Sequence, residues 1–367
     1  MKIIYPDYNN SILNLSNAIL KHFGAEYKYN TLNQLDKELE KGYKNVVLMV
    51  FDALGSKNIE SILPKESFLR RNMISEITSV FPSTTTAAIT TLQSGLAPNE
   101  HTWLGWNLYF KELDDVVNLF LNTSNRTKER YDFHVGETLI PFKNIVDKVK
   151  ETGNAEAITI FPFGMHKAKT LNEISDGIKY YCKKEQRQYL FTYWTEPDNS
   201  MHYTGIFSED TKKNMYEIDN FVKCLSEELE DTLLIVTADH GHINSKNELI
   251  TNYPSITNCL ERLPNIEPRA LNFYVKKNMN EIFIKEFNKY FGEKFKLLPK
   301  EEVINQKLFG NGKDHHRFVE FIGDYVGIAI DDVSIYNTEE QMKKFIGSHA
   351  GLTEWEMKVP LILISCN

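Results

Sequence analysis

Most of the chain alternates apolar runs of strand length with longer stretches of helical periodicity. The clearest run is Asn45-Val-Val-Leu-Met-Val-Phe51, which is apolar on both faces and predicts a central strand of a parallel sheet covered by helices. Ala155 to Phe161, Tyr189 to Trp194, Thr232 to Ala238 and Val359 to Ser365 read the same way. Between them, Leu171 to Lys183 and Ser208 to Leu229 carry the helical pattern. Residues 1–40 form a polar, helix-rich lead-in with a stripe at Ile12, Leu15, Ile19 and Leu20. This alternation predicts an α/β fold with a mostly parallel sheet between helices. Over 264–340 the texture changes: strands at Arg269 to Val275 and Tyr325 to Ile330 flank Lys/Glu-rich helices at Glu281 to Tyr290 and Lys300 to Lys307. That stretch reads as a small α+β cap inserted into a single catalytic domain spanning 1–367.

Three of the strand candidates run into acidic residues. Asn45–Phe51 ends in Asp52, Tyr189–Trp194 leads into Glu196-Pro197-Asp198, and Thr232–Ala238 ends in Asp239-His240-Gly241-His242. In open α/β sheets, ligands bind at the carboxyl edge of the strands, so three acids delivered there point to one site. Pro197 suits the first turn of a helix, and the four-residue spacing of Asp198 and His202 puts both on one helix face. A further histidine, His349, sits in the glycine-flanked turn Gly347-Ser-His-Ala-Gly351.

A hydroxyl-rich turn, Phe81-Pro-Ser-Thr-Thr85-Thr86, precedes an Ala/Thr-rich helix over Ala87 to Ser94. Free N–H donors and the positive end of the helix dipole would lie beside its hydroxyls, an arrangement that suits attack on an anion. A hydroxyl needs a base or a metal to become nucleophilic at neutral pH. Asp52, Asp198, His202, Asp239, His240 and His349 are carboxylate and imidazole donors with no cysteine among them, a set that suits catalytic zinc, with manganese second. Six protein ligands exceed what one open catalytic ion requires and match two divalent ions with room for substrate. Two such ions about 4 Å apart stabilise both the attacking and the departing oxygen in phosphoryl transfer.

Composition narrows the field further. With 42% hydrophobic and 25% charged residues the chain has the make-up of a globular protein with a sizeable core. A net charge of -8 argues against nucleic acid as a partner. No stretch approaches the ~20 apolar residues of a membrane-spanning helix. Cys182, Cys224, Cys259 and Cys366 are widely spaced and read as free thiols. The expected location is cytoplasmic, with no membrane association.

The order strand-Asp52, Phe81-Pro-Ser-Thr-Thr85, Glu196-Pro-Asp198-x-x-x-His202, Asp239-His-Gly241 and Gly347-x-His349 resembles the alkaline phosphatase superfamily. Within it the chain is most similar to the type I phosphodiesterase/nucleotide pyrophosphatase branch. The resemblance implies an alkaline-phosphatase-like core and one zinc held by Asp52, Asp239 and His240, activating Thr85. It implies a second zinc held by Asp198, His202 and His349, and hydrolysis of a phosphodiester or pyrophosphate through a covalent phospho-Thr85. The substrate class is a small phosphoester, with nucleotides among the candidates. One departure touches specificity: the branch places an Asn a few residues after the nucleophile, whereas this chain continues Thr86-Ala-Ala88-Ile. A phosphomonoesterase, a phosphonate hydrolase or a phosphomutase using the same site therefore stays open. So does a metal-binding protein without catalysis. A sulfatase is disfavoured because neither Cys nor Ser stands at the Thr85 position.

Other residues have plainer readings. His101 is expected to be structural, His315 and His316 solvated, and His242, to which the resemblance assigns no ligand role, a surface or supporting residue. Arg269 and Lys313 are the basic residues available to a substrate's far phosphate.

Overall fold

The computed structural model describes residues 1–367. Its central sheet has six strands in the order Met73–Thr78, Lys358–Cys366, Thr232–Thr237, Asn45–Phe51, Gln188–Trp194 and Glu156–Ile160. The Asn45–Phe51 strand pairs in parallel with Thr232–Thr237 on one side and Gln188–Trp194 on the other, in register from Asn45 opposite Thr232 and Gln188. All seven residues of Asn45–Phe51 are buried, as the unbroken apolar run requires. Only Lys358–Cys366 runs against the others, pairing antiparallel with Thr232–Thr237 and Met73–Thr78. The shared register means that three parallel strands end level, so the residues following each emerge at one edge.

Helices cover both faces. Leu171–Cys182 begins at Thr170, whose side chain accepts a hydrogen bond from the Glu173 N–H, and Glu209–Glu228 begins at Ser208, capped the same way by the Thr211 N–H. Glu209–Glu228 buries Met215, Ile218, Val222 and Leu225, a stripe at helical spacing, against the sheet core. In the lead-in, Ile12–His22 buries Ile12, Leu15 and Ile19 in the same core.

A second, antiparallel sheet of seven strands lies beside the first, in the order Phe295–Pro299, Tyr325–Ala329, Ala270–Phe273, Ile266–Glu267, Asn107–Phe110, Asp115–Asn118 and Thr123–Ser124. The α+β region expected over 264–340 supplies four of these strands, and residues 107–124 supply the other three. The aromatic-rich stretch after His101 is thus an integral part of the second sheet, through the pairing of Ile266 with Asn107. Phe81 of the hydroxyl-rich turn packs in the same apolar cluster as Trp103, Phe110, Phe309 and Leu352, which ties the second sheet to the loops of the site.

Candidate active site

The candidates lie just past the ends of strands or on the helices that begin there. Asp52 follows the Asn45 strand directly, and its N–H bonds the Trp194 carbonyl at 2.9 Å while its own carbonyl accepts the Asp198 N–H at 3.1 Å. Two strand ends are thereby stitched together. The next residue, Ala53, has a left-handed φ of 58°, which turns the chain sharply away and leaves the Asp52 carboxylate at the edge. Asp198 and His202 lie on the helix Asp198–Thr204, four residues apart, as their spacing demands. Thr85 is the first residue of the helix Thr85–Ser94, and Thr84 is its N-cap. Thr85 therefore sits beside first-turn N–H groups that have no helical partner.

The seven residues singled out by sequence converge. Asp52, Asp198 and His240 bring ligand atoms within 4.8 Å of one another, and Asp198, His202, His242 and His349 do the same. His240 Nε2 lies 3.4 Å from both Asp52 Oδ1 and Asp239 Oδ2. The Thr85 hydroxyl stands 3.2 Å from the same nitrogen. On the other side, His202 Nε2 is 3.4 Å from Asp198 Oδ2, and His349 Nε2 is 3.7 Å from Asp198 Oδ1. The His240 and His349 rings stack at 3.8 Å, so the two groups are adjacent halves of one centre. Asp52, Asp239, His240, His242 and His349 are buried, while Asp198 and His202 are half-buried and open the centre towards solvent.

Backbone carbonyls fix every ring. The Nδ1–H of His202 donates to Gly347 O at 2.9 Å, that of His240 to Gly241 O at 3.0 Å, that of His242 to Ile243 O at 3.2 Å and that of His349 to Ser83 O at 3.1 Å. A carbonyl only accepts, so in all four rings the proton is on Nδ1 and Nε2 presents a lone pair inward. Histidines that bind metals are held in this way by their second nitrogen.

The electrostatics fit the same purpose. Burial, then the charges of Asp239 and Asp198, holds the Asp52 carboxyl well above the usual carboxylate range. Burial pushes Asp198 up to about 7. Burial likewise lowers His202 to about 4 and takes His242 and His349 well below the usual imidazole range, so these rings stay neutral. Crowded carboxylates facing neutral imidazoles form a centre short of positive charge. Asp52 Oδ1, Asp198 Oδ1, Asp239 Oδ2 and His242 Nε2 are buried with no hydrogen-bond partner. Unpartnered buried acceptors are costly, and these four, with Asp52 Oδ1 and Asp239 Oδ2 beside His240 and His242 Nε2 beside Asp198 Oδ1, fit cations rather than an apolar ligand. The donor set, all oxygen and nitrogen, suits divalent metal ions.

Three features escaped the sequence reading. His242, expected at the surface or in support, is fully buried with Nε2 3.5 Å from Asp198 Oδ1. The signal was the second imidazole of Asp-His-Gly-His, two residues past His240 and five past the end of the Thr232–Thr237 strand. Tyr193 donates its hydroxyl to Asp52 Oδ2 from the neighbouring strand. Arg269, considered for a far phosphate, is fully buried and bidentate to Glu356, with Nε–Oε1 2.6 Å and Nη2–Oε2 2.9 Å. It is therefore not free to meet a substrate. His101 is structural as expected: buried, bonded to Thr91 through Nε2 and accepting the Trp103 N–H through Nδ1.

This fold and this edge of Asp and His residues define an alkaline-phosphatase-like hydrolase. The chain belongs to the type I phosphodiesterase/nucleotide pyrophosphatase family, whose model matches residues 123–352. It is accordingly an enzyme class that cleaves phosphoric ester bonds. The match takes in Asp198, His202, Asp239, His240 and His349, while Asp52 and Thr85 lie before it. Among solved structures, the chain is similar to murine ectonucleotide pyrophosphatase/phosphodiesterase 5 in an inactive threonine-to-alanine form in complex with AMP. The TM-score there is 0.65 at 16% identity over 86% of this chain and 87% of that one. Human ectonucleotide pyrophosphatase/phosphodiesterase 5 gives a TM-score of 0.66 at 15% identity, with 87% of each chain covered. No curated protein sequence matches the chain.

Proposed function

We propose that the protein hydrolyses phosphodiester or pyrophosphate bonds of a small-molecule phosphoester, with Thr85 as nucleophile and two divalent metal ions as cofactors. The observation that carries this reading is the convergence of inward-facing Nε2 lone pairs and unpartnered carboxylate oxygens beside the Thr85 hydroxyl. Asp52, Asp239 and His240 would hold one ion with the Thr85 hydroxyl, and Asp198, His202 and His349 the other. Zinc suits these ligands best, manganese next. When bound, such ions supply Lewis acidity to the phosphoryl oxygens and lower the pKa of the coordinated hydroxyl.

The chain's own residues do the rest. The first-turn N–H groups of Thr85–Ser94 receive a phosphoryl oxygen at the positive end of the helix. Thr85 Oγ bonds to phosphorus as the bond from phosphorus to the leaving oxygen breaks, and the hydroxyl proton passes to solvent. The leaving oxygen takes up a proton from water. A water then attacks the phosphorus of phospho-Thr85, the P–Oγ bond breaks, and the hydroxyl is restored as the phosphoryl product departs. The half-buried Asp198 and His202 line the side from which this water arrives.

A nucleotide substrate is supported by the AMP complex of the murine relative, and by the family itself. Ala88, standing where the branch resemblance places an Asn nearby, favours keeping monoesters as the second reading. The free cysteines support a reducing, cytoplasmic location.

The test is turnover of a synthetic phosphodiester and its matching monoester by metal-stripped protein, with and without added zinc or manganese, beside Thr85→Ala. Zinc-dependent cleavage favouring the diester and lost in Thr85→Ala is the expected result. Preference for the monoester moves the protein to the phosphatase side. Undiminished turnover by Thr85→Ala removes the covalent mechanism.

A further inference from the structure

We infer that His242 is a fourth protein ligand of the half-site built on Asp198, and that it makes this half-site the tighter and first-filled of the two. The inference rests on the two-metal reading above. It concerns a residue to which the family resemblance gives no part.

His242 has little freedom to be anything else. Its N–H donates to Asn58 Oδ1 at 3.1 Å, its carbonyl accepts from Asn58 Nδ2 at 3.1 Å, and its Nδ1–H goes to Ile243 O at 3.2 Å. Three contacts pin the residue, and the one atom left unpartnered is Nε2, buried and 3.5 Å from Asp198 Oδ1. Its ring stands at 83° to His202 with centroids 4.6 Å apart, and at 61° to His349 at 5.4 Å. The three rings do not stack, and a ligand atom from each lies within 4.8 Å of the others and of the Asp198 carboxylate. Space for the ring comes from Gly347, where a Cβ would fall 2.5 Å from His242 Cε1.

With His242 included, the Asp198 half-site offers three neutral imidazoles and one carboxylate, a complete tetrahedral set for zinc. The Asp52 half-site offers one imidazole, two carboxylates and a hydroxyl. Nitrogen-rich ligation favours zinc over manganese, whereas the oxygen-rich partner discriminates less. The two ions of this centre should therefore load in order.

The experiment is zinc titration of the metal-free full-length protein against a chromophoric chelator, with X-ray absorption spectra at one and two equivalents. In wild type, one equivalent should show three imidazoles around zinc. His242→Met should weaken the first equivalent by roughly 100-fold or more, above the ~10–100-fold typical of removing a supporting residue. The second equivalent should be little altered. An average of two imidazoles at one equivalent overturns the inference, because it means either that His242 is not bound or that the half-sites fill at random. An unchanged first equivalent in His242→Met overturns it as well. The wild-type spectrum answers the question even if the variant fails to fold. No zinc bound at any equivalent defeats the two-metal reading itself, an outcome distinct from the others.

Discussion

The Arg269–Glu356 pair offers a sharp test of how the centre is held. The Glu356 carboxylate accepts five hydrogen bonds: two from Arg269, one from Gly351 N at 2.7 Å, one from Thr353 N at 3.2 Å and one from Thr353 Oγ1 at 2.6 Å. Its backbone carbonyl accepts the Gly241 N–H at 2.8 Å. One residue therefore grips both turns that carry histidines, Asp239–Gly241 and Gly347–Gly351. Arg269 and Glu356 are each fully buried. Arg269→Met keeps apolar volume but leaves the carboxylate without its counter-charge, and breaking a buried pair from one side costs about 3–5 kcal/mol. Unfolding entropy of about 2.1 cal/mol/K per residue gives this 367-residue chain roughly 0.8 kcal/mol/K, so about 4 kcal/mol lowers Tm by about 5 °C. Because the pair also orders the ligand turns, zinc affinity should fall by roughly 10–100-fold, the range seen when residues supporting metal ligands are removed. Differential scanning calorimetry of the metal-free protein and chelator competition measure the two effects separately. A Tm drop with zinc affinity unchanged within about twofold would refute the reasoning, since the pair would then be holding the fold and not the site.

Two further outcomes follow from residues that sequence reading passed over. Tyr193→Phe removes the hydroxyl that donates to Asp52 Oδ2, and burial holds that phenol well above its usual range, so it is a reliable donor. Zinc affinity of the Asp52 half-site should drop by roughly 10-fold or more with little change in Tm, and an unaltered titration would show that Asp52 needs no such support. Glu267 accepts from Thr84 Oγ1 and Trp106 N, both at 2.7 Å, and burial pushes its carboxyl from the ordinary 4.5 up to about 7. Between pH 4.5 and 7 the unfolded chain has released this proton while the folded chain still holds it, so stability falls as pH rises across that window and levels off above it. Glu267→Gln should remove this component, visible as a flatter stability profile in denaturant titrations at pH 4.5 to 8; parallel profiles for the two proteins would rule it out.

The strands and the candidate ligands at their ends were legible in the sequence because each depends on neighbours along the chain. Val46 to Phe51 is apolar at every position, and a strand buried on both faces requires that. Asp52, Asp198 and Asp239 follow strands that lie in register, so reading the strands was enough to bring the acids to one edge. The four-residue spacing of Asp198 and His202 is a property of one helix turn. Tertiary structure decided whatever depends on contact between distant segments. His242 becomes a buried partner of Asp198 only because Asn58 seizes both of its backbone polar groups from a helix 184 residues away. Arg269 looks like a free cation in the sequence, and its counter-ion Glu356 lies 87 residues on in the short helix Glu354–Met357, whose Thr-x-x-Glu start signals a cap and not an ion pair with a distant arginine. The second sheet draws residues 107–124 against 264–340 through a single pairing of Ile266 with Asn107, too short to leave a periodic trace in either segment. Periodicity records which face of an element is buried; it carries no information on which distant polar group satisfies a buried one. That pairing is set when the elements pack, and it determines how the ligands of this centre are aimed.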